Sequence, residues 1–134
     1  MRRDLHSNIK TSRGIDPAVI TAGNATLTSA IVDTADYDSL EAVVMSGVIT
    51  DSTFTCTVFH GDASDMSDEA ACVAADLIGT APVFVATDDS VTKRVGYRGS
   101  KRYVRIKAVQ SGATTGGYLA SVFVQSHPRV APVA

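Results

Sequence analysis

The chain of 134 residues contains no tryptophan, only two cysteines and only four prolines. Without tryptophan, and with an apolar fraction made mainly of alanine and valine beside many threonines and serines, the core must consist of small and β-branched side chains, which favours sheet over helix. Two cysteines in a chain without a secretion signal are typical of reduced, buried thiols. Cys56 alternates with Phe54 and Val58 and is predicted to be a core residue, while its pairing with Cys72 stays open.

Long apolar runs are also missing. No run approaches the roughly 20 residues that a membrane span needs. Met1-Arg2-Arg3 is followed by polar residues and not by the hydrophobic segment of a secretion signal. We therefore expect no contact with a membrane and a protein that is made in a cytoplasm.

Basic residues are absent from Gly14 to Thr92, a stretch that contains thirteen acids. Seven basic residues then lie between Lys93 and Lys107, with no acid among them. The formal net charge of -2 argues against a dedicated nucleic-acid binder, which is usually basic overall. Because complementary charge orients partners, this separation predicts a contact with an acidic surface, on another copy of the chain or on a different protein.

The basic stretch from Ser90 to Val109 is predicted to form a β-hairpin with its break near Gly99. Apolar side chains alternate with basic and aromatic ones from Tyr103 to Ala108, as in a half-buried strand. Tyr97 is in phase with apolar residues, which suits a core position with the hydroxyl at the rim. Two alternatives stay open: Tyr97 and Tyr103 stack the bases of a single strand, or the charges are solvated and only protect a sheet edge.

Further short strands with turn signals at near-regular spacing occupy most of the chain. The run from Leu40 to Ile49 is almost continuously apolar, so we expect it to be buried on both sides. The others are expected at 18–21, 25–32, 53–59, 77–79, 83–85 and 118–125. Together these strands predict an all-β fold, an antiparallel β-sandwich or jelly-roll-like barrel of seven or eight short strands.

Both ends of the chain lack a regular apolar pattern. Residues 1–16 are predicted to be an extended N-terminal arm that ends at the boundary before Pro17. Residues 17–126 are the sandwich domain, and residues 127–134, with two prolines, are an extended C-terminal tail. We expect both ends to gain order by lying on a partner.

Catalytic and metal-binding patterns are missing as well. His6, His60 and His127 are scattered, and no nucleophile elbow, phosphate loop or metal-spaced cluster accompanies them. The acidic loop 61–69 does not match the spacing of an EF-hand, which favours a solvated loop over a calcium site. We therefore predict no enzymatic activity, no metal site and no cofactor.

Four stretches of the sequence resemble a family of small proteins encoded in the structural gene clusters of tailed phages and prophages. They are Arg2–Ile9, Ile31–Glu41, Gly96–Arg105 and His127–Pro132. The four stretches are spread over most of the chain, and none of them is a catalytic motif. The resemblance implies a non-enzymatic virion structural protein that is made in the cytoplasm of a bacterial host.

Within that family, the leading expectation is a capsid decoration (cement) protein on the capsid exterior. It would bind the major capsid protein of a preformed shell in many copies, as a homo-oligomer (trimer or dimer), with help from the arm. A tail, neck or head-completion ring protein is the alternative, and a single-stranded nucleic-acid-binding β-barrel is a further one. The predicted capsid contacts are basic residues of the arm, the predicted hairpin and the tail: Arg2, Arg3, Lys10, Arg13, Arg98, Lys101, Arg102, Arg105 and Arg129.

Overall fold

The computed structural model describes residues 3–20 and 24–133, and for residues 18–20 it describes the backbone alone. Arg2 therefore lies outside the described residues. Within these ranges the chain forms twelve strands and two short 3-10 turns. The strands are β1 Ile9–Arg13, β2 Ala18–Ile20, β3 Thr26–Thr28, β4 Val32–Asp33, β5 Tyr37–Ile49, β6 Thr53–Gly61, β7 Ala70–Ala71, β8 Leu77–Ile78, β9 Val83–Phe84, β10 Thr92–Tyr97, β11 Tyr103–Ser111 and β12 Gly117–Pro128. The 3-10 turns are His6–Asn8 and Ala74–Asp76.

The strands form two antiparallel sheets of six strands each. Sheet A has the order β1-β12-β5-β10-β8, and β2 also pairs with β12. Sheet B has the order β3-β11-β6-β7, with β4 on β11 and β9 on β6. The long strands β5, β6, β10, β11 and β12 alternate between the two sheets, which is the connectivity of a double-sheet jelly roll.

The predicted all-β sandwich is thus confirmed, with more strands than expected. Three strands were not expected: β1 lies in the predicted arm, and β4 and β7 are two-residue pieces, of which β7 pairs with β6. Such short pieces leave no clear periodicity in the sequence, because side-chain alternation needs several residues to show. The described strands form two facing sheets and not a closed barrel.

The core lies between the inner faces of the two sheets. Phe54, Phe84 and Phe123 are fully buried there, together with small and branched residues. Cys56 is buried among them, as predicted, and Cys72 is half-buried at its margin. Burial raises the pKa of the Cys56 thiol to about 12, so this side chain stays protonated.

Strand β5 is buried on one face only, which corrects the prediction of a strand covered on both sides. Leu40, Ala42 and Val44 point into the core. Val43 and Met45 point away from it, and Met45 is 41% exposed. Apolar residues on the outer face of a sheet give the same continuous apolar run as a two-sided strand, so the sequence could not separate the two cases.

The predicted basic hairpin is also corrected, because β10 belongs to sheet A and β11 to sheet B. Residues 98–102 cross from one sheet to the other around the ring of Tyr97, which is buried as predicted. The Tyr97 hydroxyl accepts the backbone N–H of Lys101 at 3.0 Å. Gly99 lies so close to this ring that an added Cβ would be 2.6 Å from the hydroxyl oxygen. The glycine therefore serves a crossing between sheets and not a hairpin turn.

The two chain ends lie on the sandwich where they are described. Residues 9–13, expected in an extended arm, form the edge strand β1 and pair with β12 over their whole length. The adjoining Ile15 is buried, and its N–H donates to Ser121 Oγ at 2.7 Å. In the tail, the N–H of Val133 donates to the carbonyl of Ser7 at 2.9 Å. Backbone pairing within the chain therefore orders segments that were expected to need a partner.

The inward and outward faces of β12 give a test of the core. Phe123→Ala should lower the free energy of unfolding by about 3–5 kcal/mol, because it leaves a cavity between the sheets. Tyr118→Ala, on the outer face of the same strand, should change it by no more than about 0.5 kcal/mol at protein concentrations where the chain is monomeric. Urea unfolding followed by circular dichroism measures both. Equal losses would contradict the assignment of the two faces.

Candidate functional site

The four stretches that carry the resemblance meet at one end of the sandwich. We call this the terminal end and define it by loops 34–36, 62–69 and 98–102 with chain segments 3–10 and 129–133. Two hydrogen bonds join the stretches: Thr34 Oγ1 to the carbonyl of Arg102 at 2.7 Å, and Arg129 N–H to the carbonyl of Asp36 at 3.0 Å. The first stretch is held by the residue that follows the last one, since Val133 N–H donates to the carbonyl of Ser7 at 2.9 Å. Segments far apart in sequence therefore form one continuous surface.

Strand pairing in sheet A causes this arrangement. β12 pairs with β5 so that Pro128 lies opposite Tyr37, and with β1 so that Ser126 lies opposite Ile9. The end of β12 is thereby held between the start of β1 and the start of β5. The opposite end, which we call the loop end, consists of loops 50–52, 85–91 and 112–116.

Most basic residues of the predicted hairpin are paired with acids of the same chain. Arg102 donates from Nε and Nη2 to the two carboxylate oxygens of Asp33, both at 2.9 Å. This bidentate contact holds the pKa of Asp33 below its usual value. Lys101 Nζ lies 2.6 Å from the carboxylate of Asp62. The two pairs tie the crossing segment to β4 and to the acidic loop.

A second cluster of charges lies on the outer face of sheet B. Glu69 accepts hydrogen bonds from the Lys107 ammonium and from Arg105, whose Nη2 is 2.6 Å away. Both hydrogen bonds hold the pKa of Glu69 below its usual value, and the bond with Lys107 has the larger effect. Charges that are separated along the sequence are therefore neutralised inside the fold.

The predicted contact residues divide into three groups by position. Arg3, Lys10 and Arg129 are exposed at the terminal end, and Arg129 Nε lies 3.8 Å from the Asp38 carboxylate. The residues of the crossing segment also lie there, but they bind their own chain; they are Arg98, Lys101 and Arg102. Arg13 and Arg105 lie elsewhere, on the outer faces of sheets A and B.

A cluster of side chains around His60 supports the crossing segment, and the sequence analysis did not predict it. His60 Nδ1 is hydrogen-bonded to the Tyr97 hydroxyl at 2.9 Å, and its Nε2 lies 4.0 Å from the Asp76 carboxylate. Burial raises the pKa of Tyr97 to about 12, which keeps the phenol neutral. No spacing signal marks such a cluster, because strand pairing across the fold brings its members together.

Base stacking on two tyrosines is not supported by this arrangement. The Tyr97 ring is buried, and the Tyr103 ring is half-buried beside the Arg102 guanidinium at 5.2 Å. The two tyrosines also lie in different sheets. They therefore do not form the exposed aromatic platform that single-strand binding requires.

The acidic loop 61–69 uses its carboxylates to close on itself. Asp68 accepts the backbone N–H groups of Asp62 at 2.9 Å and Ala63 at 3.1 Å, and these bonds lower its pKa. Asp65 accepts the N–H of Ser67 at 3.0 Å. Among the described residues, no group of three His, Cys, Asp or Glu side chains is placed to hold a metal ion. The described residues also contain no helix that is long and apolar enough to cross a membrane.

The contribution of the Tyr97 hydroxyl to the stability of the crossing segment can be tested by removing it. Tyr97→Phe should lower the free energy of unfolding by about 1–3 kcal/mol, because it leaves the Lys101 N–H and His60 without their partner. Tyr103→Phe, on β11 of the other sheet, should cost no more than about 0.5 kcal/mol. Urea unfolding measures the difference, and equal effects would argue against the proposed support of the crossing.

Glu69 predicts how stability depends on pH. Because its pKa is lower in the folded state than the usual 4.5, its ion pairs stabilise the fold above pH 4.5 and are lost as pH falls through the lower folded value. Glu69→Gln should remove this part of the acid dependence, and Lys107→Gln should remove some of it. Urea unfolding at neutral pH and below pH 4.5 tests this. An acid dependence of Glu69→Gln equal to that of the wild type would contradict it.

No protein-family model and no curated protein matches the sequence. Solved structures match this chain at TM-scores below 0.5. The infectious bursal disease virus Gx strain structure has 11% identity and a TM-score of 0.43, covering 92% of this chain and 35% of that one. For the VP2 subviral particle of the same virus, identity is 10% and the TM-score 0.41, with 90% of this chain and 33% of that one covered.

A third similar structure comes from a bacterial enzyme. The CBM22-1 and GH10 modules of endo-1,4-β-D-xylanase 10B from Clostridium thermocellum have 14% identity and a TM-score of 0.43, covering 97% of this chain and 28% of that one. The chain thus spans about a third of the length of these proteins. Likeness at this level assigns no function.

Proposed function

We propose that the protein is a non-enzymatic virion structural protein that decorates the outside of a phage capsid and strengthens it without covalent bonds. The observation that carries this proposal is the meeting of the four phage-like stretches at the terminal end. These stretches lie mainly in loops and chain ends, and binding residues concentrate on such segments when a rigid scaffold holds them.

The terminal end has the composition of a protein-binding surface. Leu5 is 65% exposed and Val130 is 81% exposed, both on chain segments that run side by side. The exposed basic residues Arg3, Lys10 and Arg129 lie on the same two chain segments. Apolar anchors within a polar rim are typical of protein interfaces, so this end suits contact with the major capsid protein.

The predicted contact residues take different parts in this proposal. Arg3, Lys10 and Arg129 contact the shell directly, and Arg2, outside the described residues, extends the same segment. Arg98, Lys101 and Arg102 hold the crossing loop in place through bonds within the chain. Arg13 and Arg105 lie away from the terminal end, so the proposed contact does not include them.

A ring protein of the tail, neck or head-completion region is the second candidate, because the same end would serve it. Copy number separates the two, since weak contacts repeated over a shell need many copies. Quantitative mass spectrometry of purified particles should give a copy number near that of the major capsid protein. A handful of copies per particle would favour the ring, and absence from particles would refute both.

Truncation of the arm is a poor test, because removing residues 1–14 would delete β1 and the hydrogen bond between Gly14 N–H and Ser121. Point variants leave the sheet intact. Lys10→Gln/Arg129→Gln removes two positive charges at the terminal end. Thr26→Glu/Thr28→Glu adds two negative charges on exposed positions of β3, so its net charge is the same.

With capsids that lack the protein, the Lys10→Gln/Arg129→Gln variant should bind about tenfold more weakly than the wild type. The Thr26→Glu/Thr28→Glu control should bind like the wild type, because β3 lies away from the terminal end. Co-sedimentation at several salt concentrations measures both, and raised salt should weaken wild-type binding. Equal binding of the two variants, or binding that does not change up to molar salt, would contradict the role of these charges.

A further inference from the structure

The outer face of sheet A is apolar across its longest strands. Register pairing places Val122 of β12 beside Val43 of β5, and Ala120 beside Met45. Val124 extends this apolar row along β12 toward the terminal end. Four large apolar side chains of this face are each more than 40% exposed: Met45, Val48, Ile78 and Tyr118. Contiguous exposed apolar surface of this kind marks an interaction site on soluble proteins.

A groove of about 670 Å³ deepens this face near the terminal end. Val43, Val124 and Ile78 line it with apolar surface. Two acids and two bases also line it: Asp38, Glu41, Arg94 and Arg98. The groove is open to solvent and continuous with the apolar rows. The face therefore combines apolar area with a concave surface, and both contribute to the shape complementarity of a closely packed interface.

The pair of Glu41 and Arg94 differs from the ion pairs on sheet B. Arg94 Nε and the Glu41 carboxylate are 3.8 Å apart, with the arginine side chain 78% exposed and the glutamate side chain 33% exposed. The pairs of Arg102 and Arg105 have distances of 2.9 and 2.6 Å. Glu41 and Arg94 thus keep hydrogen-bonding capacity for groups outside the chain.

We propose that the outer face of sheet A binds the same face of a second copy of this chain about a two-fold axis. A two-fold axis makes every contact occur twice, with the two protomers exchanged. Glu41 of one protomer can therefore approach Arg94 of its partner, while its own Arg94 approaches Glu41 of that partner. Acids and bases are balanced on this face, because Asp38 and Glu41 share the groove with Arg94 and Arg98, and Arg13 on β1 is paired with Asp16 at 2.9 Å. Such a face has no bias toward a partner of either charge, but it is complementary to itself. The apolar rows then form the interface core and the charged pair its rim.

This inference is independent of the proposed function. The two-fold axis would pass near Val43 and Val122, in the middle of sheet A. The partner copy would cover the groove beside loops 34–36 and 98–102 and leave chain segments 3–10 and 129–133 of the terminal end accessible. A dimer would present two terminal ends to a partner, which raises the strength of an otherwise weak contact.

Two exposed positions on opposite sheets provide a matched test. Met45 is 41% exposed on sheet A, and Val109 is 45% exposed on the outer face of sheet B. Met45→Glu should raise the dimer dissociation constant by about 100-fold, because it places an unpaired charge in an apolar interface. Val109→Glu should leave the constant unchanged. Sedimentation equilibrium over a concentration series gives the constants, and thermal melting checks that both variants fold.

Charge reversal and mixing separate contacts between copies from contacts within one chain. Glu41→Arg alone and Arg94→Glu alone should each be monomeric, because like charges then meet across the two-fold axis. An equimolar mixture of the two should form heterodimers, since the introduced arginine of one variant then meets the introduced glutamate of the other, and the native Arg94 and Glu41 meet as before. Contacts within one chain cannot be restored by mixing, so recovery of dimers identifies contact between copies.

The wild type should therefore sediment as a dimer that Met45→Glu and either single reversal dissociates and that the mixture restores. A wild type that stays monomeric throughout the concentration series would overturn the proposal. So would a dimer that Met45→Glu leaves intact, or a mixture of reversals that stays monomeric. A monomeric wild type whose binding to capsids is lost on Met45→Glu would assign this face to the shell instead.

Discussion

The pairing of β12 with β5 determines where the chain places its surfaces. The two strands run side by side from Ile49 and Gly117 at the loop end to Tyr37 and Pro128 at the terminal end. β1 attaches to the other side of β12, and β10 to the other side of β5. If this central pair shifted by two residues, the stretches of the terminal end would separate and the outer rows of Val43 and Val122 would lose their alignment.

Local alternation predicted the inner faces of the sandwich well. Phe54, Cys56 and Val58 face the core, and so do Val104 and Ile106, because the two-residue period of a strand does not depend on its neighbours. The two-residue period does not distinguish a buried face from an exposed one where both faces of a strand are apolar. Val43 and Met45 on β5 read as buried in the sequence, yet they form part of an exposed face.

Turn residues carried less information than the strand period. Gly99 correctly indicated that the chain bends after Tyr97, but the same residue serves a hairpin within one sheet and a crossing between two sheets. The choice between them depends on Tyr97, whose ring inserts into the core and whose hydroxyl bonds Lys101. That contact is tertiary, so neither local propensity nor spacing could reveal it. The same holds for His60, which reaches Tyr97 only through the pairing of sheet B.

Acids and bases that are separated along the sequence form ion pairs with each other within the fold. Acids of β4 and loop 62–69 form ion pairs with bases of the crossing segment and of β11. The distances are 2.9 Å for Asp33 with Arg102, 2.6 Å for Asp62 with Lys101 and 2.6 Å for Glu69 with Arg105. This pairing leaves the terminal end with a small set of exposed charges, while the outer face of sheet A combines its apolar rows with balanced acids and bases. Salt should consequently affect two kinds of contact differently: one built on apolar rows persists when charges are screened, and one that depends on Lys10 and Arg129 weakens.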